Sequence, residues 1–184
     1  WRTLWQDELP FAWVQLPNFG SPGEGWPRIR EAMLQTLVLP KTGMAVTIDI
    51  GDQKNIHPTN KQEVGRRLSL WALGTVYGKK VASVSGPLPS DHAIDGATIT
   101  VSFRHADGGL KTKDGGPAKG FQIAGADRLW KPATAKITGD KVSLSSPDIT
   151  APVAVRYAWK AWPDCNLYNG ADLPASPFRT DDWE

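Results

Sequence analysis

The sequence predicts an α/β protein with parallel strands in its first part and antiparallel β-structure in its second. Helical and strand patterns alternate up to about residue 84, whereas short alternating runs and Gly/Pro turns dominate from about residue 85. The order strand, helix, strand, helix is typical of a parallel sheet with right-handed crossovers. Closely spaced short strands are typical of an antiparallel sandwich. We therefore expect two domains, residues 1–84 and 85–184.

The first part contains two predicted strands and the helix that joins them. Phe11–Leu16 is predicted to be a buried strand, and it ends in a loop rich in turn-forming residues, 17–23. Apolar residues recur at helical spacing from Trp26 to Leu39, so we expect a helix there that Pro40 stops. Gly43–Ile50 is the second predicted strand, because its apolar residues share one face and its small residues the other.

A second helix is predicted after this strand. Thr59 and Gln62 have the spacing of a capping box, in which each side chain satisfies a backbone group at the start of a helix. The apolar pattern continues to about Tyr77 and includes Thr75 on the inward face. Gly78 suits the position that follows a helix end.

The second part contains three clear strand candidates separated by glycine turns. Each candidate is a short run rich in β-branched and apolar residues, and the first two alternate with period two. The three are Ala97–Phe103, Lys141–Ser145 and Pro152–Trp159, and turns are predicted at 107–109, 114–116 and 139–140. The tail 166–183 has little periodicity, but its aromatic residues indicate a docked segment anchored by Tyr168, Phe178 and Trp183.

Composition excludes several classes of function. The net charge is +2 and no basic run is longer than a pair, so neither nucleic acid nor an anionic membrane is an expected partner. The single Cys165 excludes an intrachain disulfide framework and a cysteine zinc site. No apolar run approaches the roughly 18 residues of a membrane span. The chain begins without Met in globular-looking sequence, so we expect a fragment of a longer protein.

His57 is the principal candidate for catalysis. It lies in a short loop between the second strand and a capped helix, and chemistry in open α/β sheets collects beyond the carboxyl ends of strands. A His beside an Asp can act as a general base oriented by the carboxylate. Asp52 is the expected orienting acid, and Asp49 is an alternative. The alternative is a purely structural role, in which His57 packs at the start of the helix.

The other reactive side chains have weaker support. His92 and His105 show no metal-ligand spacing with His57, so neither a metal nor another cofactor is expected. No G-x-S-x-G elbow is present. Ser21 follows the first strand but lies in a turn sequence, and Cys165 is expected to be a packed thiol rather than a nucleophile. The nine Trp residues suit sugar rings as well as protein cores.

Long segments of the chain resemble one known family. The segments that carry the resemblance are Thr42–Gly51, Asn55–Leu68, Lys119–Asp127, Pro152–Trp159 and Leu173–Asp181. In these segments, and so over nearly its whole length, the chain resembles the C-terminal part of sialate O-acetylesterase-like proteins, which are SGNH-type serine hydrolases.

The resemblance implies a fold and a reaction. It implies the C-terminal part of a flavodoxin-like three-layer hydrolase domain in residues 1–84, followed by an accessory β-sandwich in 85–184. The implied activity is removal of O-acetyl groups from sugars, sialic acid and hemicellulose being candidates, in a secreted or periplasmic protein. His57 matches the catalytic His.

The resemblance also implies that part of the site lies elsewhere. The Ser, Gly and Asn blocks of the family are N-terminal to this region, so an N-terminal fragment of the same polypeptide is the expected partner. The family pattern has Asp three residues before the His, where this chain has Lys54. Asp52 is then the candidate acid, or the site is a Ser–His dyad.

A non-enzymatic carbohydrate-binding or scaffold module is the alternative from another functional class. It accounts for the Trp content and the β-sandwich, but not for the Asp–His loop at a strand end.

Overall fold

The computed structural model describes residues 1–183 and confirms a mixed α/β fold. Within these residues there are three α-helices and twelve strands. The helices are α1 (Arg2–Trp5), α2 (Gly25–Gln35) and α3 (Lys61–Trp71); a 3₁₀ turn, Thr36–Val38, extends α2, and a π-helical turn, Ala72–Val76, extends α3. The strands are β1 (Phe11–Val14), β2 (Thr42–Ala45), β3 (Leu88–Asp95), β4 (Thr98–Arg104), β5 (Leu110–Thr112), β6 (Phe121–Ala124), β7 (Lys131–Pro132), β8 (Thr134–Thr138), β9 (Lys141–Ser145), β10 (Ala154–Tyr157), β11 (Leu167–Asn169) and β12 (Phe178–Arg179).

The strands β1 and β2 form a parallel pair, as the sequence predicts. Their register runs from Phe11 opposite Thr42 to Val14 opposite Ala45. The second strand is shorter than predicted, because the chain leaves the ladder after Ala45. Beyond that point the Thr47 hydroxyl donates a hydrogen bond of 2.6 Å to the Gln15 carbonyl oxygen. This side-chain bond links the segments that follow the two strands.

The helix α3 begins one residue later than its predicted capping box. Asn60, not Thr59, is the N-cap, and its Oδ1 accepts a 3.1 Å hydrogen bond from the Glu63 backbone N–H. Gly78 has φ +61, which agrees with its predicted role after the helix. Thr75 is exposed rather than inward, because the π-helical turn interrupts the regular helical periodicity.

The second part consists of antiparallel sheets, as predicted. One has the order β3-β4-β9-β8, another has the order β12-β10-β6-β7, and β5 pairs with β11. The three predicted strands correspond to β4, β9 and β10. The long β3 was not predicted, because most of its residues are exposed and polar.

Two apolar clusters fill the interior. The larger combines side chains from both four-stranded sheets, and Leu34 and Cys165 pack against it. The smaller consists of Met44, Val46, Ile48 and Leu88, and the same Leu34 and Cys165 pack against it too. Leu88 thus joins the cluster of the first part, and the domain boundary at residue 84 stays a prediction. No helix within residues 1–183 has the length and apolar character to cross a membrane.

Candidate active site

Three segments meet beyond the carboxyl ends of the parallel strands. We call them the Ser21 loop (residues 15–24, after β1), the His57 loop (residues 46–60, after β2) and the Trp159 segment (residues 158–166, after β10). Two backbone hydrogen bonds show the arrangement. The Gly20 N–H donates to the Gln53 carbonyl at 3.0 Å, and the Phe19 N–H donates to the Ala161 carbonyl at 3.1 Å. The Ser21 loop therefore lies between the other two.

Glycines allow the Ser21 and His57 loops to approach closely. The Gly51 N–H donates a 2.7 Å hydrogen bond to Oδ1 of Asn18, which is buried. A Cβ on Gly51 would lie 1.9 Å from the Asn18 carbonyl oxygen, and one on Gly20 would lie 2.5 Å from that of Gln53. Any larger residue at either position would push the two loops apart.

Arg30 fastens the Ser21 loop to the Trp159 segment. Its guanidinium is fully buried and donates to four carbonyl oxygens, those of Leu16 (2.9 Å), Pro17 (2.6 Å), Lys160 (2.8 Å) and Ala161 (2.9 Å). Burial lowers the pKa of Arg30 to about 10, so the group stays protonated at neutral pH. Carbonyl dipoles rather than a carboxylate surround this charge, which makes each of the four bonds charge-assisted.

His57 is exposed on the surface of its loop. Its backbone N–H donates to Asn55 Oδ1 at 2.9 Å, and the following Pro58 is buried. These contacts fix the backbone on both sides of the imidazole. Among residues 1–183, no hydrogen bond to the ring nitrogens is formed, so the ring faces outward from a fixed support.

Asp52 shapes the loop that carries His57. Its Oδ1 accepts the backbone N–H groups of Lys54 (2.7 Å) and Asn55 (3.0 Å), which is an Asx-type turn. Within the described part of the chain the Asp52 carboxylate makes no hydrogen bond to the His57 ring. Its role as the orienting acid therefore stays a prediction.

The alternative acid, Asp49, is engaged elsewhere. Arg67 binds both carboxylate oxygens, at 2.6 and 2.8 Å, and the Tyr168 hydroxyl donates to Oδ2 at 3.0 Å. The Arg67 side chain is 5% exposed. Burial, with the charge of Asp49 beside it, raises the pKa of Tyr168 far above its ordinary value, so the phenol remains a donor. Asp49 thus ties the start of the His57 loop to α3 and β11, whereas Asp52, exposed in the same loop, bonds among the described residues only to backbone N–H groups.

The two candidate nucleophiles of the chain differ in surroundings. Ser21 is partly buried, and its backbone N–H closes a tight turn onto the Phe19 carbonyl at 2.8 Å. Cys165 packs against both apolar clusters, and burial raises its pKa to about 11. The thiol is therefore protonated at neutral pH, in agreement with the expected packed thiol.

The remaining histidines lie in the antiparallel part. His92 is an exposed residue of β3. His105 follows β4 with φ +56, and burial, helped by the charge of Arg104, lowers its pKa. Within residues 1–183, no group of three His, Cys, Asp or Glu side chains is arranged to hold a metal ion.

The sequence did not reveal a stack of cations and indole rings beside the Ser21 loop. The Arg156 guanidinium lies 4.3 Å from the centre of the Trp130 ring and 5.4 Å from that of the Trp159 ring. The Arg179 guanidinium lies 5.0 Å from the centre of the Trp159 ring. Asp181 accepts hydrogen bonds from both arginines. We call this set the Arg–Trp stack. Its members are far apart in the chain, so no local spacing signals it.

Comparisons with known proteins agree with this architecture. No protein-family model matches the chain. The sialate O-acetylesterase of Mus musculus is 32% identical over 194 residues, which covers 92% of this chain and 35% of the mouse protein. The chain belongs to the sialate O-acetylesterase family. The human sialate O-acetylesterase is 31% identical, with 92% of this chain and 36% of that protein covered. The chain thus spans about a third of the length of these relatives.

A solved member of the acetylesterases has the same fold. A carbohydrate acetylesterase from Xanthomonas citri superimposes on the whole of this chain with a TM-score of 0.94 and 47% identity, and this chain covers 44% of it. The sialate O-acetylesterase family assignment and the esterase-type resemblance are therefore confirmed.

Proposed function

We propose that the protein containing this chain is a carbohydrate O-acetylesterase in which His57 is the general base. The observation that carries the proposal is the position of His57, an exposed imidazole beyond the carboxyl end of a parallel strand, in a loop fastened by Gly51 and Asn18. Family membership supports the reaction class. Sites of this kind in open α/β sheets lie in the same place.

The proposed reaction is acyl transfer through a serine. His57 takes the proton of a Ser hydroxyl as its Oγ attacks the acetyl carbonyl, and gives it to the sugar oxygen as the ester C–O bond breaks. Water then attacks the acetyl-enzyme while His57 removes its proton, and acetate leaves as the Ser oxygen is reprotonated. Ester, water, sugar and acetate balance, and His57 ends as it began.

Asp52 is the proposed orienting acid. It would accept a hydrogen bond from one ring nitrogen of His57 and stabilise the imidazolium. Its Oδ1 already accepts two backbone N–H groups, which leaves Oδ2 for this task. A Ser–His dyad without an acid is the alternative.

The nucleophile and oxyanion hole are proposed to lie on a segment N-terminal to this chain, within the same polypeptide. Two features support a missing neighbour. Within residues 1–183 the parallel sheet has only two strands, and parallel sheets are ordinarily covered and extended. A groove of about 800 Å³ beside α1 and β1 exposes apolar side chains, among them Trp1, Trp5 and Phe11. In this proposal residues 1–84 complete a flavodoxin-like SGNH domain and 85–184 form an accessory β-sandwich.

The proposed substrate is an acetylated carbohydrate, and the proposed compartment is secreted or periplasmic, where such glycans occur. Sialic acid and acetylated hemicellulose such as xylan or xyloglucan are both candidates.

Substitution of His57 tests the proposal. In the complete protein, His57→Ala is expected to lower kcat for acetate release about 10³-fold or more, with an unchanged melting temperature because the side chain is exposed. Lys54→Ala, at an exposed neighbour in the same loop, is the matched control and should retain activity. Retention of full activity by His57→Ala would overturn the proposal.

Two substitutions at Asp52 separate its roles. Asp52→Asn keeps an oxygen that can accept the Lys54 and Asn55 N–H groups but removes the charge, whereas Asp52→Ala removes both. A loss of kcat with Asp52→Asn at unchanged stability would identify the orienting acid. Equal activity of Asp52→Asn and the unsubstituted protein would favour the dyad.

A non-enzymatic carbohydrate-binding module is the second candidate, favoured by the exposed indole of Trp162 near the Ser21 loop. Sugar binding by the complete protein without any acetate release would establish it.

A further inference from the structure

A cleft of about 490 Å³ opens beside the Ser21 loop. Three tryptophans line it, Trp130, Trp159 and Trp162, together with polar side chains of Glu24, Gln122 and Lys160. Its volume falls in the range of small-ligand sites. None of the catalytic groups named above requires these tryptophans.

The wall of the cleft is rigid. Trp159 is buried, and in the Arg–Trp stack the Arg156 guanidinium contacts both the Trp130 and the Trp159 ring. Arg156 in turn donates to Asp181 at 2.9 and 2.7 Å, and Asp181 has a fully buried side chain. Burial alone would raise the pKa of Asp181, but the hydrogen bond and charge of Arg156 hold it below its ordinary value. The wall therefore keeps its charges and its shape at neutral pH.

The mouth of the cleft offers flat apolar surface next to hydrogen-bonding groups. Trp162 is 41% exposed and supplies an indole face. Gln122 provides both a donor and an acceptor, Glu24 provides an acceptor, and Lys160 provides a donor. The ring hydrogens of a pyranose form an apolar face, and its hydroxyls surround that face. This combination of surfaces matches the cleft.

The charges of the cleft favour a neutral ligand. Arg156 is paired with Asp181 and with Glu24, at 2.7 and 3.2 Å. Among the residues that the structure describes, Lys160 is the one cation of the lining without an ion pair, and it is exposed. A ligand carboxylate in the cleft could therefore pair only with the solvated ammonium of Lys160, because the Arg156 guanidinium is already paired. An exposed ion pair of this kind binds weakly.

Resting on the proposed function, we propose that this cleft is a subsite that binds a neutral pyranose unit of the acetylated carbohydrate. Its position fits this role, because Ser21, Gly23 and Glu24 line it from the same loop whose Gly20 bonds to the His57 loop. In this proposal, a carbohydrate chain bound in the cleft crosses the Ser21 loop toward His57. The cleft thereby selects substrates longer than a single acetylated sugar.

Direct binding tests the subsite without relying on catalysis. The complete protein carrying His57→Ala is titrated with a deacetylated xylo-oligosaccharide by calorimetry. Adding Trp162→Ala is expected to raise the Kd about tenfold, since a stacked aromatic contact is lost. Tyr77→Ala removes an exposed aromatic ring elsewhere (Tyr77 is 68% exposed) and should leave the Kd unchanged. An unchanged Kd with Trp162→Ala, in a protein whose circular dichroism is normal, would overturn the proposal.

Kinetics distinguish this proposal from the proposed function. With His57 intact, Trp162→Ala should raise KM for an acetylated xylo-oligosaccharide about tenfold relative to KM for 4-nitrophenyl acetate. Absence of hydrolysis of both esters by the unsubstituted protein would defeat the esterase proposal alone, because the calorimetric result stands by itself. Binding of a sialylated oligosaccharide that depends on Trp162, with no binding of the xylo-oligosaccharide, would overturn the neutral-sugar subsite.

Discussion

The antiparallel sheets and the site loops are stabilised by different means. The sheets surround a large cluster of buried apolar residues, in which Ile99, Ile123, Val142 and Leu144 have no exposed surface. The loops around β1 and β2 have a small apolar cluster, and buried arginines hold them. Apolar packing tolerates small shifts, whereas a guanidinium with several fixed acceptors sets the positions of backbone atoms. The region proposed for chemistry is thus the one positioned by directional bonds.

The largest expected effect comes from Arg30, and it tests whether directional bonds dominate in the loops. Arg30→Ala leaves the carbonyl oxygens of Leu16 and Lys160 without a donor. It also removes one of the two donors from those of Pro17 and Ala161. The free energy of unfolding should therefore fall by about 3–5 kcal/mol. Urea denaturation of the complete protein measures this loss. Arg28→Ala is the matched control on the same helix, because Arg28 is 45% exposed with a 3.7 Å ion pair, and should cost less than about 1 kcal/mol. Similar losses for the two variants would show that apolar packing suffices in both regions.

A smaller effect is expected from Gly51, and it sharpens the comparison within the loops. Gly51→Ala places a Cβ against the Asn18 backbone, so the Ser21 and His57 loops must separate, at a cost of about 1–3 kcal/mol. Under the proposed function, kcat should fall as well. The control is Gly65→Ala in α3, where a Cβ meets nothing within 4 Å; it should stabilise the protein by about 0.5–1 kcal/mol. An unchanged free energy of unfolding and kcat in Gly51→Ala would mean that the two loops do not need this close contact.

The smallest effect concerns the charge network of α3. Hydrogen bonds from Arg66, and then from Arg67, lower the pKa of Glu63 from 4.5 to about 2. Because the folded pKa is depressed, this stabilisation is complete above pH 4.5 and is lost as the pH falls toward 2. Glu63→Gln should therefore flatten the stability curve between these values, by about 1 kcal/mol or less after screening. Thermal melts from pH 2 to 6 measure it, and parallel curves for the two proteins would contradict the network's role.

The sequence predicted the elements that local patterns determine. The strands near Trp13, Val101 and Val142 and the helix after Trp26 follow from periodicity, and the parallel pairing follows from their order. The strand β3 was missed because an exposed edge strand lacks the alternation of a half-buried one. The helix start was displaced by one residue because Thr59–Gln62 and Asn60–Glu63 have the same spacing, and only the geometry selects between them.

For the candidate site, the sequence located His57 and Asp52 in one loop but could not show what holds that loop. The contacts that fasten it, from Asn18 to the Gly51 amide and from the Gly20 amide to the Gln53 carbonyl, use backbone groups, and backbone partners leave no residue pattern. The Arg–Trp stack could not be predicted from the sequence for a related reason. Arg156 lies in β10 and Asp181 lies in the segment after β12, so their pairing depends on tertiary structure.

Asp181 makes the wall of the cleft depend on a segment that is synthesised late. Ribosomes deliver residues 178–183 after β6, β10 and the Ser21 loop, yet this carboxylate is what pairs with both Arg156 and Arg179. Without Asp181, Glu24 and Glu31 remain as acidic partners of Arg156 and Arg179, at 3.2 and 2.7 Å, but the buried carboxylate that the two guanidinium groups share is missing. Asp49 of the His57 loop likewise accepts a hydrogen bond from Tyr168 of β11. Both the His57 loop and the wall of the cleft are therefore complete only after residues 167–181 have been synthesised.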